Sequence, residues 1–90
     1  MRFTVSWTPT AQQNLAAVWM AADDKAAITS AANTIDVLLA ADPESRGELR
    51  FDTVRSLSVP PLGVDYEIVE ADRIVYVLTA WDTTKGGVPE

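Results

Sequence analysis

The side chains able to do chemistry in this chain are few in kind. It contains no histidine and no cysteine. That removes the usual general base, imidazole and thiolate metal sites, and every Ser/His/Asp or Cys/His arrangement. Carboxylates, Arg, Lys, Tyr and hydroxyls remain. Asp65, Glu67 and Asp82 could form a carboxylate cluster for acid/base work or for a hard cation. They share one face only if Asp82 follows the strand register, and the plainer reading is a solvated strand face. Arg46, Arg50 and Arg55 are three of the seven bases within ten residues. They suit an RNA- or partner-contacting patch. Glu44, Glu48 and Asp52 lie among them and bring the local charge to zero, so weak surface pairing also explains them. Tyr66 and Tyr76 could each serve as a catalytic phenol. Their apolar-facing strand positions read better as core aromatics, and Trp7 and Trp19 are read as core in the same way. Trp81, beside a loose tail, is the best single candidate for an interface anchor. Trp81, Asp82, Asp65 and Glu67 together are the candidate partner-binding residues.

Charge narrows the partners. Thirteen acids against seven bases give −6 and a pI near 4.4. Nucleic-acid binding rests on Lys and Arg neutralising phosphates, so direct binding to RNA or DNA is disfavoured. A basic protein is the better match for an acidic surface. No run approaches ~18 apolar residues, and no apolar segment follows Met1-Arg2, so a soluble cytoplasmic domain without direct membrane contact is expected. No cofactor and no metal are expected.

The elements that must position these residues follow from periodicity. Phe3, Val5 and Trp7 alternate with polar residues, which reads as a half-buried strand. Thr8-Pro9 suits a helix start, with Thr10 and Gln13 as a rival capping box. Leu15, Val18, Trp19 and Ala22 then form one helical stripe. Asp23-Asp24 can cap a second helix running to about residue 41. Its apolar face carries Ile28, Ala31, Ala32, Ile35, Leu38 and Leu39, with Asn33, Thr34 and Asp36 on the other side. Asp42-Pro43-Glu44 ends it. From Gly47 the period is two, over residues 48–52, 54–59 and 62–68, with Pro60-Pro61 as a stop. Residues 70–73 make a tight turn. The nearly unbroken apolar run 74–81 reads as a central strand covered on both faces, by the sheet curling on itself or by a partner. Residues 1–82 thus form a single α+β domain, an N-terminal strand and αα-hairpin packed on a small, mostly antiparallel sheet. Residues 83–90 read as a flexible tail, and Gly86-Gly87 lacks the surroundings of a phosphate loop.

This order of landmarks resembles the RelE/ParE toxin superfamily of bacterial toxin–antitoxin systems, the plasmid-stabilisation type, over residues 3–81. The strand and helix start from Phe3 through Trp7 to Thr8-Pro9-Thr10-Ala11 are similar to the family's opening. So are Gln13-Asn14-Leu15 with Trp19, the break at Asp42-Pro43, Arg55-Ser56-Leu57, Tyr66-Glu67-Ile68, and Asp72-Arg73-Ile74-Val75. The resemblance implies a helical hairpin packed on a small sheet, and neutralisation by an antitoxin segment that wraps the toxin. It implies one of two activities: mRNA cleavage in the ribosomal A site, as in RelE-like members, or poisoning of DNA gyrase, as in ParE-like members.

The chain departs from the nuclease pattern. Leu62-Gly63-Val64-Asp65 holds no arginine, and Asp82-Thr83-Thr84 stands where a basic or aromatic catalytic segment is expected. An acid there repels phosphate and cannot stabilise a transition-state dianion. The first reading is therefore a toxin-type component acting through protein–protein contacts with a cognate antitoxin and a target such as gyrase. Apolar antitoxin residues would cover the sheet face or the groove of the helical hairpin, and basic ones would suit the acidic surface. Two alternatives stay open. One is a ribosome-dependent mRNA endonuclease using Arg50, Arg55 and Arg73 on phosphate, with Tyr66, Tyr76 or a carboxylate for proton transfer. The other is an inactive relative that keeps fold and partner.

Overall fold

Alternation gives way to helix at Thr8. The computed structural model describes residues 2–51 and 53–84, with all their side chains except those of Arg46, Arg50 and Phe51. Strand β1 (Thr4–Trp7) ends beside Thr8, and helix α1 (Pro9–Ala21) begins after it. Thr8 is extended, and its hydroxyl accepts a hydrogen bond from the Ala11 N–H at 3.2 Å. It is therefore the cap in preference to Thr10, with Pro9 in the first turn where a missing N–H costs nothing. Asp24 caps helix α2 (Lys25–Ala41) in the same way, accepting from the Ala27 N–H at 3.1 Å. After Asp42 the chain does not simply break. Pro43 opens a four-residue helical turn, α3 (Pro43–Arg46).

Four strands follow: β2 (Glu48–Phe51), β3 (Val54–Val59), β4 (Leu62–Val69) and β5 (Ile74–Asp82). Pro60-Pro61, joined by a cis peptide, turns the chain between β3 and β4. The tight turn expected between β4 and β5 is a 3-10 turn, Glu70–Asp72, closed by Arg73 in the left-handed region at φ 56°. The sheet order is β1-β5-β4-β3-β2. Neighbours are antiparallel except β1, which runs parallel to β5. The expectation of a tail over 83–90 falls, from Lys85 onward, outside the described residues.

The apolar run of β5 is interior to the sheet, as its composition predicts, but it is covered on one face only. Val75, Val77 and Ala80 are buried beneath the helices, whereas Ile74 and Tyr76 are half-buried. Among the described residues, no second layer lies on the outer face. Of the two covers expected for that face, the sheet curling on itself is therefore corrected.

One residue of β5 breaks the alternation. Tyr66 pairs with Val77 and Asp65 with Thr79, so Leu78 is extra, a β-bulge that moves every later side chain to the opposite face. β1 reaches only as far as Val77. Beyond it α1 takes over as the neighbour of β5. The Thr8 N–H donates to the Val77 carbonyl at 3.0 Å, and the Thr8 hydroxyl donates to the Leu78 carbonyl at 3.3 Å. The Asn14 side-chain oxygen then accepts from the Ala80 N–H at 3.2 Å. Ala11, fully buried, presents only a methyl group to the core and lets α1 approach closely. The core proper joins Ile35 and Leu39 of α2 to Leu62, Val64 and Tyr66 of β4 and to Val75 and Val77 of β5.

Thr8→Ala removes a helix cap and a bulge contact together. It should lower stability by about 1–2 kcal/mol. Thr8→Ser should retain most of that, as read by the midpoint of urea unfolding at unchanged slope.

Candidate functional site

The register sorts the sequence candidates onto two faces. On the outer face, away from the helices, Asp65 is paired with Ser56 and Thr79, Glu67 with Val54 and Tyr76, and Gly63 with Trp81. Asp65 is only 7% exposed. Ser56 Oγ donates to its Oδ1 at 2.5 Å, and Thr79 Oγ1 donates to its Oδ2 at 3.3 Å. Hydroxyls from both flanking strands thus replace the water that an ionised carboxylate needs. Glu67 accepts from the Thr53 hydroxyl. Asp82 is not part of this group. The bulge gives it the parity of buried Leu62, and its Oδ1 accepts from the Thr84 N–H at 2.8 Å and the Thr84 hydroxyl at 2.6 Å. The three carboxylates therefore do not form one cluster, and no group of metal-ligating side chains gathers among the described residues.

Trp81 lies on the outer face, half-exposed, with its indole flat against Gly63. A Cβ on Gly63 would stand 2.5 Å from Trp81 Cε2 and 2.6 Å from Nε1. The missing side chain of one strand thus makes room for the ring of the next.

The tyrosines part company. Tyr66 is fully buried on the helix face, and its hydroxyl donates to the Pro43 carbonyl at 2.7 Å. This bond fastens α3 to β4. Burial pushes the phenol above its ordinary pKa, against the pull of the Arg55 charge. Tyr76 is not a core aromatic. It sits half-buried on the outer face opposite Glu67 and beside Ser6.

The arginines also separate. Arg55 is paired with Tyr66 on the helix face, and lines a shallow depression with Glu44, Leu49, Ile68 and Glu70. There a hydrogen bond to Glu70 and its negative charge push the Glu44 carboxyl above its usual range, while Arg55 pulls it back. The Arg73 guanidinium stacks 5.3 Å over the Phe3 ring. The Arg46 and Arg50 side chains lie outside the described residues. No described register position on the outer face holds Lys or Arg.

The groove of the helical hairpin is a second surface, and it is lined by a residue that periodicity placed in the core. Trp19 is 42% exposed and Met20 74%, so Trp19 is not a core residue. Both line an apolar groove of about 630 Å³ between α1 and α2, floored by Leu15, Ile28 and Ala32. Lys25 Nζ sits 5.1 Å over the Trp19 ring while donating to the carbonyls of Met20 at 3.3 Å and Ala22 at 3.1 Å. At the other end Trp7 Nε1 donates to Asp36 Oδ1 at 2.7 Å. Periodicity assigned Asp36 to the solvent side, and it is instead half-buried against an indole. The detectable signal was the polar residue beside an apolar stripe, but nothing in the spacing named its partner.

No protein-family model matches the sequence. No curated protein matches it either. Solved structures do. The RelBE2 toxin–antitoxin complex from Mycobacterium tuberculosis superposes with a TM-score of 0.75 at 19% identity, covering 91% of this chain and 99% of that one. The chromosomal ParDE toxin–antitoxin system from P. aeruginosa gives 0.72 at 14% identity over 90% and 96%. An arginine-to-alanine mutant of the E. coli toxin RelE in its free state gives 0.68 at 9% identity over 91% and 84%. The fold is that of the RelE and ParE toxins, and the α+β architecture expected from the element order is observed.

Two substitutions test these placements. Tyr66→Phe should lower stability by about 1–2 kcal/mol by orphaning the Pro43 carbonyl. The folded-state phenol sits above its ordinary 10.0, so the unfolded chain ionises first. This stabilisation is complete below about pH 10 and lost as pH rises through the folded-state value. Alkaline unfolding followed by circular dichroism should therefore be steeper for the parent than for Tyr66→Phe. Gly63→Ala should displace the Trp81 ring, altering the near-ultraviolet aromatic signal and destabilising by about 1–3 kcal/mol.

Proposed function

We propose that this chain is the toxin-type component of a type II toxin–antitoxin pair, and that it acts through protein–protein contacts. It would be held in check by a cognate antitoxin and directed at a protein target such as DNA gyrase. The fold it shares with toxins solved in the RelBE2 and ParDE systems supports the toxin role and the antitoxin partner. The observation that carries the mode of action is the outer sheet face. It presents Glu67, Tyr76 and Trp81, with Asp65 buried between Ser56 and Thr79, and no described Lys or Arg stands among them. Phosphoryl chemistry on RNA needs cations or preorganised donors aimed at the developing charge. Here the carboxylates accept from hydroxyls instead. Tyr66 is turned into the core and engaged with Pro43. A protein interface needs none of that machinery. A part-buried tryptophan on a face that also carries Glu67 suits an interface with a basic, apolar partner. A cytoplasmic site of action accords with the described helices, none of which is long and apolar enough to cross a membrane.

The test is induced expression in a bacterial host lacking any partner gene, with growth and ribosome-bound mRNA ends followed together. Growth arrest with intact mRNA is the expected result. New mRNA 5′ ends on ribosomes would replace this reading with a ribosome-dependent nuclease. Unimpaired growth in the presence of soluble, folded protein would replace it with an inactive binding module.

A further inference from the structure

We propose that the groove between α1 and α2 is a small-molecule site for an aromatic amine, with the ring body between Leu15, Ala32 and Trp19 and the ammonium on Asp36. Ligand pockets are concave, roughly 300–1,000 Å³ in volume, and mostly apolar with a few convergent polar groups. This groove holds about 630 Å³ and has that composition. Its lining runs from Gln12 to Met20 on α1 and from Ile28 to Asp36 on α2, about 12 Å along each helix. That span suits a bicyclic body with a short aminoalkyl arm. A ligand seated there and a partner segment lying over the hairpin would exclude one another. This consequence rests on the partner-binding role above, whereas the binding itself does not.

The two ends of the groove differ in chemistry, and the difference orients the ligand. Trp19 and Met20 stand exposed at one end. An indole and a thioether are good surfaces for a flat ring. Trp19 is positioned before any ligand arrives. Lys25 lies over its ring, and the same ammonium donates to two carbonyls at the end of α1. A wall set in advance reduces the ordering cost of binding. The lysine is committed to those bonds and is not part of the lining, so the groove offers no cation to an acidic ligand. The other end holds Asp36, the one charged side chain in the lining. The Trp7 indole fixes its carboxylate through Oδ1. A carboxylate has about four acceptor positions, and this bond uses one of them. The neighbouring Gln12 amide is turned away, donating to the Trp7 carbonyl at 2.9 Å. A half-buried acid beside apolar walls attracts a cation more strongly than an exposed one does, and it rejects an anion.

The experiment is a titration of the intact, isotope-labelled protein with three bicyclic probes that differ in their end group: naphthylethylamine, naphthylethanol and naphthylpropionate. Binding is read by nuclear magnetic resonance on the indole N–H signals. Trp7 and Trp19 report on the groove, and Trp81 on the outer sheet face is the internal control. The amine should shift Trp7 and Trp19 saturably and leave Trp81 in place. The alcohol should bind about ten-fold more weakly, and the carboxylate more weakly still. Asp36→Asn keeps an acceptor for the Trp7 indole and should bring the amine down to the affinity of the alcohol. Ala16→Phe, at an exposed position of the lining, should close the groove to all three probes, with folding checked by thermal melting. The proposal is overturned by equal affinity for amine and alcohol, by an amine preference that survives Asp36→Asn, by shifts that Trp81 shares, by binding that survives Ala16→Phe, or by the lack of any saturable shift. Concentration-dependent movement of Trp19 without a probe, removed by Ala16→Phe, would overturn it in favour of a second copy of the chain. None of these readouts depends on growth arrest. A toxic protein that binds no amine refutes the site alone, and a harmless protein that binds it refutes the toxin reading alone.

Discussion

The Thr8 hydroxyl joins two structures that would otherwise be independent. It accepts from the Ala11 N–H, which starts α1, and it donates to the Leu78 carbonyl, which holds β5 at its bulge. A helix start has N–H groups without intrahelical partners, and a bulge interrupts the ladder of its strand. One side chain serves both, and the Thr8 N–H adds a bond to Val77. The consequence is positional. α1 must cross β5 where β1 stops, and Asn14 extends the seam to Ala80. Without the bulge, Asp82 would share the parity of Tyr76 and Trp81 would turn toward the helices. With it, Trp81 lies against Gly63 on the outer face and Asp82 takes the parity of Leu62.

From this follows a separation of chemistry between surfaces. The helix face of the sheet is an apolar core whose polar members are satisfied internally, as Tyr66 is by Pro43. Among the described residues, no buried side-chain polar atom lacks a partner. The outer face is acidic and aromatic. The groove between α1 and α2 is mostly apolar, with Asp36 the charged side chain in its lining. Among the described side chains, arginine contributes to none of these as a cluster. Arg55 neighbours the Glu44 and Glu70 carboxylates, and Arg73 lies on Phe3. Among the described side chains, Lys and Arg thus gather into no basic face.

Much of the architecture was legible in the sequence because it is local. Thr8-Pro9 and Asp24 are caps whose chemistry acts within three residues. Pro60-Pro61 stops a strand wherever it occurs in one. Alternation at Leu62, Val64, Tyr66 and Ile68 declares a single buried face. What was not legible is long-range. No pattern in residues 74–82 marks Leu78 as the extra residue, since every neighbour is also apolar or compatible with a strand. The parallel pairing of β1 with β5 joins segments about seventy residues apart. Trp19 satisfies the helical stripe arithmetic and is still 42% exposed. The stripe is wider than the part of the sheet that α1 covers, so its far edge faces the α2 groove. Asp36 was misplaced for the complementary reason. Its partner is an indole on a strand 29 positions earlier, and spacing along one helix carries no information about it.

The groove and the sheet are mechanically one object. Its walls are α1 and α2, and α1 is bonded to β5 at Thr8 and at Asn14. Its floor residue Ile28 is itself buried. The Trp7 indole that orients Asp36 belongs to β1, the strand that pairs with β5 on the same side as α1. Anything that binds the folded groove and not the unfolded chain adds its binding free energy to the stability of this whole assembly. A fold with so small a core has a thin stability margin. The groove is thus coupled through α1 to the seam that sets the register of β5. The acidic outer face inherits its arrangement from that register, because Asp65 meets Thr79, and Gly63 meets Trp81, only with the bulge in place.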